Sequence, residues 1–270
     1  MKKIGFILLA LLLAVVITGC GSDEASGQLN DKKLLVGVTA GPHEQIVEKV
    51  AEVAAADGLE IELKVFSDFI LPNSTLEEGQ LDANAYQHQP FLDQFNEDHE
   101  TNLVPVGKTI LNPMGIYSEK YTNMDDLPDG ARIGLPNDPT NGSRTLYILE
   151  EAGYITLADD NKELASIHDV VDNPRNFEFI ELDAAQITKQ LGEVDAASVN
   201  TSFAIAAGLN PVEDAILLES TSSPYTNYIV VREENQDDPV VEKLVKAYQS
   251  EEVKQFIEEE FRGSVLIAWE

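Results

Sequence analysis

The 270-residue sequence contains one cysteine, Cys20, so it cannot form an internal disulfide, and this cysteine needs another role. Basic residues are also scarce, because 18 lysines and arginines stand against 48 aspartates and glutamates. The formal net charge of −30 at pH 7 disfavours nucleic acid and anionic lipid headgroups as partners, since both would be repelled. The acidic residues are spread along helical faces, which is typical of a solvated surface.

Sequence motifs for catalysis are missing as well. There is no Gly-x-Ser-x-Gly motif, and the histidines are scattered at His43, His88, His99 and His168. A hydrolase needs a nucleophile beside a base. A metal receptor needs clustered ligands, and the nearest histidine–acid pairs are the isolated neighbours His43-Glu44 and Asp98-His99. We therefore predict a protein that is not an enzyme, with no catalytic residues, cofactor or metal ligands.

The N-terminus has the features of a secretory signal. Lys2 and Lys3 precede an apolar run over residues 4–17, and small residues follow it. The run is shorter than the ~20 residues that span a membrane, which disfavours the alternative of an N-terminal membrane helix. We predict a signal peptide at residues 1–19.

Residues 17–20, Ile-Thr-Gly-Cys, resemble the bacterial lipobox, in which the cysteine is lipidated and becomes the first mature residue. Lipidation would account for the lone Cys20, and stable anchoring needs more than one acyl chain. The residues that follow are small and polar, so residues 20–31 are predicted to be a lipidated cysteine and a flexible tether. The protein is then anchored by lipid on the extracytoplasmic face of the cell membrane.

Strand and helix patterns alternate along the rest of the chain. Residues 59–65 alternate apolar and polar side chains, as in a half-buried strand, and residues 44–56 place apolar side chains on one helical face. Ser74 and Glu77 have the spacing of a capping box, which predicts a helix beginning there. Similar patterns predict strands at 34–39, 102–110, 114–118, 131–135, 177–182, 194–199, 215–219 and 228–232, and helices at 140–151, 184–191, 240–248 and 252–261. This alternation predicts α/β layers around a mostly parallel sheet.

Polar clusters follow the strands in both the first half and the middle of the chain. Open α/β sheets bind ligands beyond the carboxyl ends of their strands. Two lobes that face one cleft would bring these clusters together, and the chain is long enough for two lobes of ordinary size. One large sheet is the alternative.

The first cluster is aromatic. Phe69, Tyr86, His88 and Phe91 are expected just after strands, where side chains can line a pocket. Flat aromatic faces suit a thioether, because each sulfur–aromatic contact contributes ~0.3–1.5 kcal/mol. Ordinary core packing is the alternative for each residue taken alone.

The second cluster lies between a strand and a helix. Asp138 before Pro139 predicts a helix N-cap. Asn141 and Arg144, three residues apart, share one face of the first turns, and a helix N-terminus attracts anions. Arg144 adds a fork that matches a carboxylate, so this cluster predicts an anion site. A capped helix with an exposed arginine is the alternative.

Two further clusters place an asparagine at the edge of an apolar segment. Asn200 follows a predicted strand, and Asn227 follows Tyr225 just before another. Each amide offers a donor and an acceptor, which suits an ammonium and a carboxylate together. An Asx turn and a strand-edge cap are the alternatives.

Together these motifs resemble the methionine-binding lipoproteins of the NlpA/MetQ type. The resemblance rests on Asp82-Ala83-Asn84 with Tyr86-Gln87-His88 and Pro90-Phe91-Leu92, on Pro136-Asn137-Asp138 with Asn141 and Arg144, on Val199-Asn200-Thr201, and on Ser223-Pro224-Tyr225 with Asn227. It extends from about Leu34 to the C-terminus with matching order and spacing. Tyr86 departs from the phenylalanine that is common in the family.

The resemblance implies a periplasmic-binding-protein-like fold, with two α/β lobes joined by a strand hinge and a ligand cleft between them. We expect the first lobe at residues 32–113 and 228–270 and the second at 114–227. The implied function is a lipid-anchored substrate-binding protein that closes on methionine and delivers it to the permease and ATPase of an ABC importer. L-methionine is favoured, and D-methionine and Gly-Met remain open.

The resemblance also implies a role for each site residue. Arg144 would bind the ligand carboxylate, with Asn141, Asn200 and Asn227 holding the head group. The thioether pocket would be formed by Phe69, Tyr86, His88 and Phe91, and Tyr225 completes the predicted set. A receptor for another apolar amino acid or a metal ion, and a structural surface lipoprotein, are the alternatives.

Overall fold

The computed structural model describes residues 29–158 and 164–269. The predicted signal peptide and Cys20 lie outside these residues, as does most of the tether predicted at 20–31. Within the described ranges, no helix is both long and apolar enough to cross a membrane.

The first lobe is built on a six-stranded sheet. Its strands in chain order are β1 (Lys33–Thr39), β2 (Glu60–Phe66), β3 (Ala83–His88), β4 (Leu103–Leu111), β12 (Thr226–Arg232) and β13 (Leu266–Ile267). Their spatial order is β13-β4-β12-β3-β1-β2. The helices of this lobe are α1 (Pro42–Ala56), α2 (Leu71–Glu77), α3 (Gln89–His99), α8 (Pro239–Tyr248) and α9 (Glu251–Phe261).

The second lobe is built on a five-stranded sheet. Its strands are β5 (Gly115–Tyr117), β6 (Arg132–Pro136), β9 (Glu178–Leu182), β10 (Ala196–Val199) and β11 (Leu217–Leu218), in the spatial order β11-β5-β10-β6-β9. A separate ribbon pairs β7 (Thr156–Leu157) with β8 (Val170–Asp172). The helices are α4 (Pro139–Glu151), α5 (Ile187–Gln190), α6 (Thr201–Ala206) and α7 (Pro211–Asp214). Each lobe thus has helices packed around a central sheet.

Apolar side chains fill both faces of each sheet. In the first lobe, Val36, Val50 and Leu244 belong to one core, and Leu76 and Phe95 belong to another. The second lobe also has two cores, one behind α4 and one that includes side chains of β10 and α6. Burial on both faces explains why β3 and β10 are buried at every position.

The expectation of mostly parallel sheets is wrong. Strand β12 returns from the second lobe and lies antiparallel between β3 and β4, and β13 is antiparallel to β4. In the second sheet, β5 is antiparallel to both β10 and β11. The chain crosses between the lobes at residues 112–114 and 219–225, and the strand after each crossing, β5 and β12, runs antiparallel to both of its neighbours.

One local prediction was also wrong, and one helix was missed. Helix α2 begins at Leu71 and not at Ser74, because the Asp68 carboxylate accepts hydrogen bonds from the backbone amides of Ile70 and Leu71, both at 2.8 Å. Ser74 instead donates its hydroxyl to the Ile70 carbonyl inside the helix. The helix at 89–99 was not predicted, although Pro90 is a common residue in a first helical turn.

The predicted lobe bounds, 32–113 with 228–270 and 114–227, stay a prediction. Strand β12 begins two residues before the predicted boundary, so Thr226 and Asn227 pair with the first sheet.

Candidate ligand-binding site

A cavity with about 370 Å³ of empty space lies between the two lobes. Its lining residues are His43, Phe69, Tyr86, Gln87, His88, Phe91, Asn112, Asn141, Arg144, Asn200, Thr201, Ser202 and Asn227. Eight of the nine predicted ligand-binding residues are therefore in one place. The exception is Tyr225, which is not among the lining residues.

One side of the cavity is aromatic. The ring centroid of Phe69 lies 6.1 Å from those of Tyr86 and Phe91. Tyr86 and Phe91 meet edge to face at 6.3 Å. Tyr86 and His88 lie within β3, whereas Phe69 follows β2 and Phe91 follows β3 in the first turn of α3. The expectation that all four residues lie just after strands therefore holds for Phe69 and Phe91 only.

The hydroxyl of Tyr86 makes a hydrogen bond within the protein. It donates to the Phe69 carbonyl at 2.6 Å, and burial raises the pKa of Tyr86 well above its ordinary value. The tyrosine is therefore a protonated donor that holds the Phe69 loop. The hydrogen bond thereby links β3 to that loop.

The aromatic side closes across the cleft. Phe69 from the first lobe packs on Phe203 of α6 in the second lobe, with ring centroids 4.6 Å apart. The lobes also meet at Gly41, where a Cβ atom would lie 2.9 Å from the Ser202 carbonyl oxygen. Gly41 has φ 92°, a conformation that favours glycine.

The opposite side of the cavity is polar, and it begins at the predicted N-cap. Asp138 accepts from the backbone amide and from Nδ2 of Asn141, both at 2.9 Å. The donation from Nδ2 fixes the orientation of the Asn141 amide, so its Oδ1 faces the cleft and accepts from Asn200 Nδ2 at 2.8 Å. Asn200 Oδ1 is then left buried without a hydrogen-bond partner among the described residues.

A second amide is oriented in the same way. Asn227 Nδ2 donates to the Tyr86 carbonyl at 2.7 Å and lies 3.4 Å from His43 Nε2. The His43 nitrogen is therefore an acceptor, and it also lies 3.1 Å from Asn112 Nδ2. Within the described part of the chain, Asn112 Oδ1 is buried and unpartnered. The cavity thus has two buried oxygens that need a donor.

Arg144 is buried, with 3% of its surface exposed, and does not project freely into the cavity. Its Nε donates to Glu219 Oε1 at 2.8 Å and its Nη2 to Glu219 Oε2 at 2.5 Å. Nη2 also donates to the Asn112 carbonyl at 2.9 Å. Glu219 therefore accepts from two of the three guanidinium nitrogens.

Tyr225, the ninth predicted residue, packs against Arg144 and His88. Its ring covers the guanidinium, with 4.4 Å between Arg144 Cζ and the ring centroid, and it meets the His88 ring edge to face at 5.0 Å. The ring therefore acts on Arg144 through a cation–π contact.

Two imidazoles at the site are held neutral. Burial lowers the pKa of His43 to about 3, and burial together with the positive charge of Arg144 lowers the pKa of His88 to about 3. His88 Nδ1 accepts from the backbone amide of Phe91 at 3.2 Å, so the proton is on Nε2, which donates to Asn141 Oδ1. The cavity is thus lined by neutral groups apart from Arg144.

Comparison with known proteins shows which family the chain belongs to. The family model described as NlpA lipoprotein matches residues 34–269. The chain belongs to the NlpA lipoprotein family. It is 41% identical to the D-methionine-binding lipoprotein MetQ of Escherichia coli K12 over 264 residues, which is 96% of each protein.

Solved structures of similar proteins share the fold of this NlpA lipoprotein. A nutrient-binding protein from Burkholderia cenocepacia, bound to methionine, superposes with a TM-score of 0.85 and 44% identity, over 87% of this chain and 99% of that one. A methionine-binding protein, MetQ, superposes with a TM-score of 0.86 and 41% identity, over 89% of this chain and 100% of that one. The predicted fold, two α/β lobes with a cleft between them, is confirmed.

Sequence reasoning missed six residues of this site: His43, Gln87, Asn112, Thr201, Ser202 and Glu219. Gln87 belongs to a buried amide network with Asn73 and Asn84, in which each amide has a partner. One feature of the sequence could have pointed to Glu219, because it is an acidic residue at the end of the apolar run Ala215–Leu218.

No group of three histidine, cysteine or acidic side chains is placed to hold a metal ion in residues 29–158 and 164–269. The cavity's own chemistry is aromatic at one side and amide-rich around one arginine at the other. Such an arrangement fits a small molecule with an apolar tail and a polar, charged head.

Proposed function

We propose that this NlpA lipoprotein binds methionine in the cleft between its lobes and delivers it to the permease and ATPase of an ABC importer. The observation that carries the proposal is the two-sided cavity, with three aromatic rings at one end and a buried arginine at the other. A D-methionine-binding relative at 41% identity and a nutrient-binding protein bound to methionine at 44% identity support the same ligand.

Arg144 would bind the ligand carboxylate through Nη1, because Nε and Nη2 donate to Glu219 and to the Asn112 carbonyl. Asn200 Oδ1 is positioned to accept from the ligand ammonium, since its own Nδ2 is committed to Asn141. Asn141 and Asn227 would act by orienting these groups. Nearly all their hydrogen-bonding atoms already have partners in the protein.

The thioether would lie among Phe69, Tyr86, Phe91 and His88. Aromatic carbons offer sulfur contacts of ~0.3–1.5 kcal/mol each, and the buried rings exclude water from the tail. L-methionine is favoured; D-methionine and Gly-Met share the thioether and the carboxylate. Micromolar binding needs about 8 kcal/mol, which is within the ~1.5 kcal/mol per heavy atom that small ligands reach at most.

Closure of the cleft would report occupancy to the transporter, because the ligand would contact both lobes. The membrane would be reached through a lipid on Cys20, on the extracytoplasmic face, and the protein would carry out no catalysis. Radioactive palmitate should label the wild-type protein in cells, and a Cys20→Ala variant should remain unlabelled. Label retained by the variant would contradict the anchor.

The test of the ligand is calorimetric titration of Arg144→Ala with methionine, which should abolish detectable binding. Arg132→Ala is the matched control, because Arg132 is an exposed arginine on the same lobe and should leave affinity unchanged. Arg144→Lys keeps the charge but loses the fork, and it should bind weakly while retaining the fold. Wild-type affinity in Arg144→Ala, or no methionine binding by the wild-type protein, would contradict the proposal.

A further inference from the structure

Glu219 makes four hydrogen bonds although it does not line the cavity. Oε1 accepts from Arg144 Nε and from Ser223 Oγ, both at 2.8 Å. Oε2 accepts from Arg144 Nη2 at 2.5 Å and from the backbone amide of Met114 at 2.9 Å. The side chains of the pair are 3% and 5% exposed. The carboxylate is therefore fixed in position by its four donors.

The partners of the Arg144–Glu219 pair come from both segments that cross between the lobes. The Asn112 carbonyl and the Met114 amide belong to the first crossing, and Glu219, Ser223 and Tyr225 belong to the second. Glu219 thus sets the direction of the guanidinium from the hinge side and leaves Nη1 for the cavity.

The pair also sets the charge of the site. The positive charge of Arg144 is compensated before any ligand enters, and both imidazoles are neutral. A ligand with a lone carboxylate would bring an uncompensated negative charge into a buried site, which is costly. A ligand that also carries an ammonium brings no net charge, and the ammonium can donate to the buried oxygens of Asn112 and Asn200.

We infer that Glu219 is a positioning residue that makes the cleft selective for zwitterionic amino acids over acids that lack a free ammonium. The inference rests on the proposed function, because it takes Arg144 as the carboxylate site. Glu219 would select ligands by their amino group, whereas the aromatic side of the cavity would select them by their tail. Without Glu219, the guanidinium would be a free cation and would accept a plain anion.

The experiment compares methionine with 4-(methylthio)butanoate, which has the same thioether and carboxylate but no ammonium. In the wild-type protein the analogue should bind about 100-fold more weakly than methionine, because it leaves two buried acceptors without a donor. Glu219→Gln removes the charge at nearly the same volume. It should weaken methionine binding and narrow the ratio of the two affinities by about tenfold or more. Glu213→Gln, at an exposed glutamate of the same lobe, should change neither affinity.

If Glu219 has a purely structural role, Glu219→Gln should weaken the binding of both ligands equally and leave the ratio of their affinities unchanged. That result would overturn the inference. Equal affinities of the wild-type protein for the two ligands would overturn it without any variant, even if Glu219→Gln does not fold. Glu219→Asp keeps the charge and should keep the wild-type ratio although affinity falls. If the wild-type protein binds neither ligand, the proposed function fails; if it binds methionine and the ratio is insensitive to Glu219, only this inference fails.

Discussion

His88 and Asn141 form a hydrogen bond across the cleft, with 3.2 Å between His88 Nε2 and Asn141 Oδ1. The bond joins a strand of the first lobe to the first turns of a helix in the second. The same Asn141 oxygen accepts from Asn200 at 2.8 Å. Asn141 Oδ1 therefore makes two contacts at once. It holds His88 of the first lobe close to the second lobe, and it orients the Asn200 side chain that lines the cavity.

Asn141→Ala should weaken methionine binding about 10- to 100-fold, because it leaves the His88 proton without its acceptor and frees the Asn200 amide to rotate. Calorimetric titration measures the loss. Asn137→Ala, at an exposed asparagine just before the same helix, is the control and should bind like the wild type. An Asn141→Ala variant with wild-type affinity would show that the bridge has no part in binding.

Acid should weaken both the fold and the closed cleft. The pKa of His43 and of His88 is about 3 in the folded protein, against 6.5 when the imidazole is exposed. Between pH 3 and pH 6.5 each of these histidines binds more protons in the unfolded chain than in the folded protein. The stability contributed by the neutral imidazoles is therefore fully present above pH 6.5 and is lost as the pH falls towards 3. From pH 7 to pH 5 each histidine should cost about 2 kcal/mol.

Thermal unfolding at pH 7 and pH 5 checks this dependence. His88→Gln should flatten it, whereas His168→Gln, at an exposed histidine, should not. Burial raises the pKa of Asp138, which contributes with the opposite sign, because its protonation relieves the cost of burying the charge. A melting temperature equal at both pH values, in wild type and variants alike, would contradict the neutral imidazoles.

Gly41→Ala should lower both stability and affinity. Its φ of 92° costs a non-glycine residue about 1–3 kcal/mol, and the new Cβ would lie 2.9 Å from the Ser202 carbonyl oxygen of the other lobe. Gly58→Ala separates the two effects, because Gly58 has φ 79° and no atom within 4 Å of a Cβ. Melting temperature and titration with methionine should show Gly58→Ala less stable with unchanged affinity. Equal affinities in the two variants would show that closure tolerates the clash.

Phe91→Leu should reduce the preference for methionine over norleucine, which has a methylene in place of sulfur. Loss of a sulfur–aromatic contact of ~0.3–1.5 kcal/mol should narrow that preference about 2- to 10-fold. Phe95→Leu is the control, because Phe95 lies one turn later in the same helix and packs in a core away from the cavity. Competition between the two amino acids measures the ratio. A ratio that falls equally in both variants would indicate a general loss of packing.

The alternation of strands and helices was readable from the sequence because apolar periodicity reflects burial, and α4 with its Asp138 cap was predicted almost to its ends. Asn200 and Asn227 were readable for the same reason, since each is a polar residue at the edge of an apolar strand. The resemblance to a family supplied the ligand and the role of each site residue, which the residue patterns alone left open.

Glu219 was not readable in this way, because its partner Arg144 is 75 residues away in the chain and pairing at that distance leaves no local pattern. The prediction of mostly parallel sheets was wrong for a similar reason. Nothing within residues 226–232 states that this strand lies between β3 and β4. Long-range pairing depends on the path of the whole chain, which local periodicity does not encode.

The central position of β12 also determines the order in which the molecule can be completed. All strands of the five-stranded sheet lie between residues 115 and 218, so that sheet has its full set of neighbours before β12 has left the ribosome. The six-stranded sheet starts at residue 33 but lacks the strand that joins β3 to β4 until residue 232 is available. During synthesis and export the first lobe to begin is therefore the last to finish. Until then β3 and β4 have unpaired edges, which are exposed to aggregation.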